Sequence, residues 1–295
     1  MKLKFPFLLF FLLLFVHLPF IPETAKALSP VQEEKLIQQI EILKQEVFVL
    51  KSLLLNLQSQ EKISARAYLA VNLSDNSVVL GKNQNQPYSI ASVTKLMSAL
   101  IAVENIDKGR TITLTEQMLK PLGQSPALFP GLAISAENLI KAALIQSAND
   151  APEALAYFLG KEKFLVLMNR KAKELNMANT VFYDVSGLNP ANRSNAADIA
   201  KLISYIYKNH PEILSITRDN NFWLPDQTGK MVKFYNVNNF YPVPEFIGGK
   251  TGYLAEARQT LASVFNVSGK PIAIVILYSN NRQADAFSIL KQLGY

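Results

Sequence analysis

Residue types suited to nucleophilic chemistry first occur together at Ser92 and Lys95, three positions apart at the predicted start of a helix. Positions i and i+3 share one helical face, so the Ser92 hydroxyl and the Lys95 amine can meet. The positive end of the helix dipole favours negative charge that develops at Ser92. A lysine accepts a proton from serine only when burial or a neighbouring positive charge lowers its pKa. The pair therefore indicates a serine nucleophile with a lysine base, and it predicts a second lysine nearby.

Two further segments supply groups that such a site requires. Ser147 and Asn149 place a hydroxyl and an amide two residues apart, at a predicted helix end or loop. The segment 248–253, Gly-Gly-Lys-Thr-Gly-Tyr, opens a predicted strand in which the glycines allow close backbone approach and Lys250 is the second lysine. Each segment alone is a common coincidence. In this order, however, the three match the motif set shared by class A β-lactamases and penicillin-binding proteins.

The composition excludes most other catalytic chemistry. The chain of 295 residues has no cysteine and only two histidines, His17 in an apolar leader and His210 before a proline. It therefore has no thiol nucleophile, no thiolate metal site and almost no candidate base for a Ser-His-Asp triad. The sequence also contains no phosphate-binding loop, no dinucleotide-binding glycine motif, no histidine-rich metal spacing and no basic-aromatic cluster. We expect no metal, no cofactor and no nucleic-acid partner.

Residues 1–27 have the features of an export segment. Lys2 and Lys4 precede an apolar run from Phe5 to about Ile21, and Ala-Lys-Ala at 25–27 has the small-x-small pattern of signal-peptidase cleavage. The run also approaches the lower length limit for spanning a bilayer, so an uncleaved N-terminal membrane anchor is the competing interpretation. Either alternative places the rest of the chain outside the cytoplasm, in the periplasm or at the cell surface.

Residues 28–62 carry a heptad pattern. Apolar residues alternate in spacings of four and three, the period of a coiled-coil seam, at Leu36, Ile40, Leu43, Val47, Leu50, Leu54 and Leu57. A coiled coil here would pair two chains into a dimer or hold a domain away from a membrane. The alternative, weighed evenly with it, is an amphipathic helix that packs on its own domain, because further apolar residues widen the stripe.

Residues 63–295 are predicted to form one α+β domain. Strand patterns cover 67–73, 77–80, 245–254, 259–266 and 271–279. Helical spacing covers the regions around 92–105, 135–159, 164–175 and 195–208, and a final helix follows the last strand. Because early and late strands flank a helical block, we expect one sheet that joins both ends of the domain.

The motifs together resemble the serine D-alanyl-D-alanine carboxypeptidases of the peptidase S11 type, the low-molecular-weight penicillin-binding proteins. The resemblance covers about 65 to 295, and the segments that carry it are 91–97, 147–151, 187–189, 194–198 and 249–253. It implies a five-stranded, mainly antiparallel sheet flanked by helices, with a helical subdomain and the active site between the two. It also implies cleavage of D-Ala-D-Ala in peptidoglycan stem peptides and covalent inhibition by β-lactam antibiotics.

The resemblance further implies roles in the acylation step. Ser92 would attack the carbonyl of the penultimate D-Ala, with Lys95 as its general base. Ser147 would relay a proton to the leaving amine, and Asn149 would hydrogen-bond the substrate amide and Lys95. The oxyanion would lie between the backbone N–H groups of Ser92 and Tyr253, where one such donor typically lowers a barrier by about 2.7 to 4 kcal/mol.

The resemblance assigns substrate binding to the third segment. Lys250 would attract the terminal carboxylate of the substrate and lower the pKa of its neighbours, and Thr251 would bind that carboxylate. Gly252 and Tyr253 complete the substrate-binding strand. Arg282 resembles a family arginine that helps to hold the carboxylate, and an ordinary surface arginine is the alternative.

The sequence also departs from the family pattern and leaves alternatives open. Glu256-Ala257-Arg258 replaces the usual Ala-Gly after the Lys-Thr-Gly motif, so we expect a differently shaped loop edge beside the site. A class A-like β-lactamase would share the acylation step, but Glu174 only mimics its water-activating glutamate, within a predicted helix and without the usual spacer. A non-catalytic cell-wall scaffold carried by the coiled coil is the alternative from another class. Carboxypeptidase and endopeptidase action use the same residues.

Overall fold

The computed structural model describes residues 30–58, 63–120, 125 and 127–295. The chain divides into two units, Met1–Val49 and Leu50–Tyr295, which are considered separately. The predicted leader, with its two interpretations, lies outside the described residues. The heptad segment forms helix α1, Pro30–Gln58, and apolar side chains such as Leu36 and Leu43 are exposed on it. Its pairing with a second chain stays a prediction. No helix within the described ranges is long and apolar enough to cross a membrane.

The remaining elements follow in chain order. The strands are β1 Ala67–Asn72, β2 Val78–Lys82, β3 Tyr88–Ser89, β4 Thr111–Thr113, β5 Ala133–Ser135, β6 Arg193–Ser194, β7 Asn221–Pro225, β8 Met231–Tyr235, β9 Phe246–Leu254, β10 Arg258–Val267 and β11 Lys270–Ser279. The helices are α2 Thr94–Asn105, α3 Ala136–Lys141, α4 Asp150–Leu159, α5 Lys161–Glu174, α6 Ala196–Asn209, α7 Pro211–Ile216 and α8 Arg282–Gln292.

A five-stranded antiparallel sheet forms the centre of the second unit. Its strand order is β2-β1-β11-β10-β9, so β9, which carries Lys250, lies at one edge. β1 pairs with β11 from Ala67 opposite Leu277 to Asn72 opposite Ile272. The sheet therefore joins both ends of the domain, and the predicted fold class is confirmed. The short strands form separate two-stranded ribbons, β3 with β6, β4 with β5 and β7 with β8.

The late strands are continuous apolar runs, so they place apolar side chains on both faces of the sheet. Side chains alternate between the two faces of a strand. On β11, Ala273, Val275 and Leu277 belong to the large core that also contains the helical block. The other face carries an aromatic cluster in which Phe240 contacts Phe265 of β10 and Phe287 of α8, with ring centroids 5.4 Å and 5.6 Å apart. Helices therefore cover the sheet, and α2 to α5 pack together as a helical subdomain.

The structure divides the helical region expected over 135–159, and the break lies at the helix end or loop that was predicted for Ser147 and Asn149. Helix α3 ends at Lys141, a π-helical turn follows over Ala142–Gln146, and α4 begins only at Asp150. Ser147 lies between them in a left-handed conformation with φ 62°. The apolar spacing continues through the break, which explains why periodicity alone predicts one helix. Single π-turns of this kind concentrate at functional sites.

A second difference is the β7–β8 hairpin, which was not predicted. Its turn contains Asp226 and Gly229, and Gly229 has φ +82°. The hairpin places Trp223 on the surface, where the residue is 51% exposed. The alternation of a half-buried strand is obscured here because exposed positions also carry large apolar residues, namely Trp223, Met231 and Tyr235.

Candidate active site

Ser92 lies in a short 3-10 turn, Ala91–Val93, directly before helix α2. Ala91 has φ 48°, a conformation that costs a residue with a Cβ on the order of 1–3 kcal/mol. The turn brings Ser92 Oγ to 2.9 Å from Nζ of Lys95. The i, i+3 spacing therefore produces the contact that the sequence indicates.

Lys95 is fully buried and is held by acceptors on three sides. Its Nζ donates to Asn149 Oδ1 at 2.7 Å and to the Ser186 carbonyl at 2.7 Å, in addition to its contact with Ser92 Oγ. A carbonyl oxygen only accepts hydrogen bonds. A neutral Lys95 amine that keeps two N–H groups on these oxygens therefore directs its lone pair toward the hydroxyl of Ser92. The arrangement is therefore one in which a neutral Lys95 amine could accept a proton from the Ser92 hydroxyl.

Burial also lowers the pKa of Lys95 to about 7, while the negative charges of Asp184 and Asp150 oppose that decrease. At neutral pH about half of such amines carry a lone pair able to accept a proton, whereas almost none do at an ordinary lysine pKa. General bases work best when their pKa lies near the operating pH. Position and pKa therefore both suit Lys95 to proton abstraction.

Lys250 is the second buried lysine, on the edge strand β9. Its Nζ donates to the Thr251 carbonyl at 2.8 Å. Burial, followed by the positive charges of Lys95 and Arg282, holds the pKa of Lys250 well below its usual range. An anion that entered beside Lys250 would relieve this repulsion. The cluster of like charge is therefore suited to attract a carboxylate.

Gly252 brings the edge strand against the nucleophile. A Cβ placed on Gly252 would lie 2.9 Å from the Ser92 backbone nitrogen and 2.5 Å from Thr260 Oγ1. Only a glycine allows this approach without displacement of the backbone. Thr251 is buried beside it, and Tyr253 is exposed. The segment 250–253 thus lines the Ser92 turn along an edge where another chain could bind.

The break between α3 and α4 carries Ser147 and Asn149, of which Asn149 reaches the site. Asn149 contacts Lys95 directly, as described above. Ser147 is half-buried, two residues earlier, in its left-handed conformation. Uncommon backbone conformations cost free energy and persist where surrounding structure imposes them, often at functional sites.

Asp184 organises a third wall of the site that sequence reasoning missed. Its carboxylate accepts hydrogen bonds from the N–H groups of Ser186 at 3.1 Å and Gly187 at 2.6 Å, and from Asn192 Nδ2 at 2.9 Å. This turn holds the Ser186 carbonyl that accepts from Lys95. A Cβ on Gly187, which has φ +84°, would collide with the Ala91 carbonyl. An aspartate shortly before a glycine is a typical turn signal, so the turn was detectable but its contact with Lys95 was not.

Arg282 is attached to the same edge strand. Its Nη1 donates to the Gly252 carbonyl at 2.9 Å, and its backbone N–H donates to Gln259 Oε1 at 3.1 Å. Burial lowers the pKa of Arg282. The interpretation as an ordinary surface arginine is therefore disfavoured.

Glu174, the residue that mimics a β-lactamase glutamate, has an exposed position at the end of α5. Its carboxylate pairs with Arg170 at 3.4 Å and Lys171 at 3.3 Å along the helix surface. These are solvated helical ion pairs. The structure gives Glu174 no contact with Ser92 or Lys95.

Sequence comparison identifies the family. The profile described as D-alanyl-D-alanine carboxypeptidase, peptidase S11, matches residues 55–281. The chain belongs to this family of cell-wall peptidases.

Two relatives illustrate the range of this family. The D-alanyl-D-alanine carboxypeptidase DacF of Bacillus subtilis is 30% identical over 249 residues, which cover 78% of this chain and 61% of that protein. The chain therefore matches about three fifths of the length of this relative. A D-alanyl-D-alanine endopeptidase of Escherichia coli is 29% identical over 232 residues, 74% of this chain and 73% of the relative.

Solved structures share the fold. A D-alanyl-D-alanine carboxypeptidase from Mycobacterium tuberculosis superimposes with a TM-score of 0.74 at 26% sequence identity. The match covers 79% of this chain and 92% of the chain of that structure. Penicillin-binding protein D2 from Listeria monocytogenes, in a cefotaxime-bound form, superimposes with a TM-score of 0.67 at 25% sequence identity. The match covers 79% of this chain and 98% of the chain of that structure.

Proposed function

We propose that this protein is a serine-type D-Ala-D-Ala carboxypeptidase that acts on peptidoglycan stem peptides through an acyl-enzyme at Ser92. One observation carries the proposal. Nζ of the buried Lys95, with a pKa of about 7, lies 2.9 Å from Ser92 Oγ and is oriented by two carbonyl oxygens. Family membership supplies the substrate class.

Acylation begins when the Ser92 hydroxyl transfers its proton to the neutral Lys95 amine. Oγ forms a bond to the carbonyl carbon of the penultimate D-Ala, and the carbonyl electron pair moves onto oxygen. Backbone N–H groups of Ser92 and Tyr253 stabilise that oxyanion. The close approach at Gly252 supports this role, because it brings the strand beside the Ser92 nitrogen.

The leaving group then departs as free D-alanine. The tetrahedral intermediate collapses, the peptide C–N bond breaks, and the departing nitrogen takes a proton that Lys95 received, through the Ser147 hydroxyl. Asn149 holds the Lys95 amine and the substrate amide during this step. The ester on Ser92 is the acyl-enzyme.

Water completes the cycle. A water molecule loses a proton to Lys95 as its oxygen attacks the ester carbonyl, and the proton returns to Ser92 Oγ when the ester bond breaks. The products are the shortened peptide, with a new carboxylate, and free enzyme. β-lactams would acylate Ser92 by the same route and act as covalent inhibitors.

Recognition of the terminal carboxylate falls to the cationic edge of the sheet. Lys250 and Arg282 supply positive charge, and Thr251 supplies a hydroxyl that donates to the carboxylate. Burial, followed by the positive charges of Lys95 and Arg282, lowers the pKa of Lys250, and a carboxylate bound beside Lys250 would stabilise its charged form. Gly252 and Tyr253 place the strand backbone along the bound peptide.

The substrate places the enzyme outside the cytoplasm. In our proposal residues 1–27 export the chain and are either removed or retained as a membrane anchor. Residues 28–62 then act as a spacer that holds the catalytic domain, 63–295, away from the membrane, alone or as a coiled-coil dimer. The family match to residues 55–281 supports the extent of the catalytic domain.

A fluorescent penicillin tests the nucleophile. We expect a covalent band on denaturing gels that is lost in Ser92→Ala and retained in Ser215→Ala, a control at an exposed serine on α7. A wild-type chain that takes no label would support a non-catalytic scaffold. Rapid multiple turnover of nitrocefin without a lasting adduct would support a β-lactamase.

Mass analysis of digested muropeptides tests the reaction. Loss of one D-alanine from monomeric pentapeptides is the expected result. Conversion of cross-linked dimers to monomers, with no free D-alanine, would identify an endopeptidase instead.

A further inference from the structure

The outer face of the β7–β8 hairpin carries an exposed aromatic surface that the catalytic proposal does not use. Trp223 and Tyr235 are 51% and 54% exposed. Lys233 is paired with Trp223 across the ribbon and places its ammonium 5.5 Å from the Trp223 ring centroid and 5.0 Å from that of Tyr235. We call these three residues the aromatic face. It presents two rings with a positive hydrogen-bond donor between them.

The aromatic face is held rigidly from behind. Phe222 and Phe234, on the inner side of the same hairpin, contact each other with ring centroids 4.5 Å apart, and Phe234 and Leu224 are buried. Asp226 closes the turn, where its carboxylate accepts from the N–H groups of Thr228 at 2.8 Å and Lys230 at 3.0 Å. The exposed rings therefore need little ordering when they bind a partner, which lowers the cost of association.

The chemistry of the aromatic face matches a sugar chain. A pyranose ring has an apolar face of C–H groups and a rim of hydroxyl and amide groups. Tyr and Trp rings offer flat apolar area beside a polar tip, and a lysine ammonium offers three donors.

The hairpin is joined directly to the candidate active site. Just after Tyr235, the backbone N–H of Val237 donates to the Ile145 carbonyl at 3.0 Å, two residues before Ser147. Asn238 Nδ2 donates to the Gly249 carbonyl at 3.1 Å, next to Lys250. The two residues from Tyr235 to Val237 span at most roughly 7 Å, and an extended five-residue stem peptide spans roughly 17 Å. The base of the hairpin therefore contacts the segments that carry Ser147 and Lys250, and the proposal requires that a stem peptide at Ser92 extend from there to the aromatic face.

We propose that the aromatic face binds the glycan strand of peptidoglycan while the attached stem peptide occupies the Ser92 site. The inference rests on the proposed function for the identity of the substrate. Trp223 and Tyr235 stack on successive sugar rings, and Lys233 donates to their hydroxyl or carbonyl oxygens. The enzyme thereby prefers stem peptides that are still linked to a glycan over free peptides.

The single tryptophan of the chain makes the test direct, because all tryptophan emission comes from Trp223. The full chain is titrated with peptide-free strands of alternating N-acetylglucosamine and N-acetylmuramic acid. We expect a saturable shift of the emission to shorter wavelength. Tyr235→Ala and Lys233→Ala, which keep Trp223, should each weaken binding about three- to tenfold. No shift with strands, or a shift only with free stem pentapeptide, would overturn the assignment.

A matched control lies on helix α4. Tyr157 is also a partly exposed tyrosine with a lysine ammonium near its ring, Lys161 at 5.3 Å. Tyr157→Ala should bind strands as tightly as the wild-type chain, and equal weakening in Tyr157→Ala and Tyr235→Ala would contradict the proposal. For Trp223→Ala, calorimetry replaces fluorescence, and kcat/KM should decrease about tenfold more for glycan-linked than for free pentapeptide.

Failure of this proposal and failure of the catalytic proposal give different results. Strand binding measured by Trp223 emission needs no acylation, so it would persist in a chain that penicillin does not label. Normal labelling of Ser92 with unchanged emission would leave the catalytic function standing and remove the glycan surface.

Discussion

Lys95 and Lys250 are both buried lysines with lowered pKa values, yet their surroundings differ. Lys95 lies among fixed acceptors, Asn149 Oδ1 and the Ser186 carbonyl, that orient its amine toward Ser92. Lys250 lies on an edge strand, where burial, followed by the positive charges of Lys95 and Arg282, lowers its pKa. One residue type therefore serves two purposes. In our proposal the acceptors around Lys95 orient a neutral amine as a base, and Lys250 and Arg282 together form a site for an anion.

Replacement of Lys95 should have the largest effect. We expect Lys95→Ala to reduce the rate of acylation by penicillin by about a thousandfold, because general-base catalysis contributes roughly 10² to 10⁴. The rate is measured by stopped-flow or gel quantification. Lys173→Ala, at an exposed lysine of α5, is the control. Wild-type acylation in a folded Lys95→Ala chain would refute its role as base.

Replacement of Lys250 should reduce activity in a way that depends on the terminal carboxylate of the substrate, unlike replacement of Lys95. Lys250→Met keeps the buried stem but removes the charge, and we expect about a hundredfold lower kcat/KM for peptides with a free terminal carboxylate, on the basis of roughly 1.5–3 kcal/mol for a charge-assisted hydrogen bond. The same variant should lose much less activity on a peptide with a C-terminal amide. Equal losses on both peptides would show that Lys250 does not read the carboxylate.

Replacement of Asp184 should act through Lys95. Asp184→Asn weakens the turn that holds the Ser186 carbonyl, and we expect about tenfold slower acylation from the misplaced base. The charge of Asp184 raises the pKa of Lys95, so its removal should also move the acidic limb of the pH profile to lower pH. Slower acylation with an unmoved limb would indicate a purely structural role.

The pH dependence of the wild-type chain gives the smallest effect. Because Lys95 must be neutral to accept a proton and has a pKa of about 7, acylation should rise with pH through neutrality. Between pH 6 and pH 7 the neutral fraction increases about fivefold, and the rate should follow it. The measurement is the acylation rate across buffers of constant ionic strength. A flat profile between these values would place the proton acceptor elsewhere.

Features that lie within a single helix or strand could be predicted from local sequence patterns. The Ser92–Lys95 contact follows from helical spacing, and the late strands follow from continuous apolar runs. Two local features, the π-turn before Ser147 and the β7–β8 hairpin, were not predicted. The π-turn before Ser147 has the same apolar spacing as a regular helix. In the β7–β8 hairpin, large apolar residues such as Trp223 and Tyr235 occupy exposed positions and obscure the alternation of a strand.

The sequence by itself determined the fold class, the family and the residue types of the site, because motifs and periodicity are local properties of the chain. The tertiary structure alone decided how those residues act. Asn149 and Ser186 reach Lys95 from positions 54 and 91 residues away in sequence. The pKa of Lys95 depends on burial and on Asp184 and Asp150, which only folding brings near. Burial and long-range charge arise from packing, so the sequence alone could not give the contacts and pKa values on which we base the different roles proposed for Lys95 and Lys250.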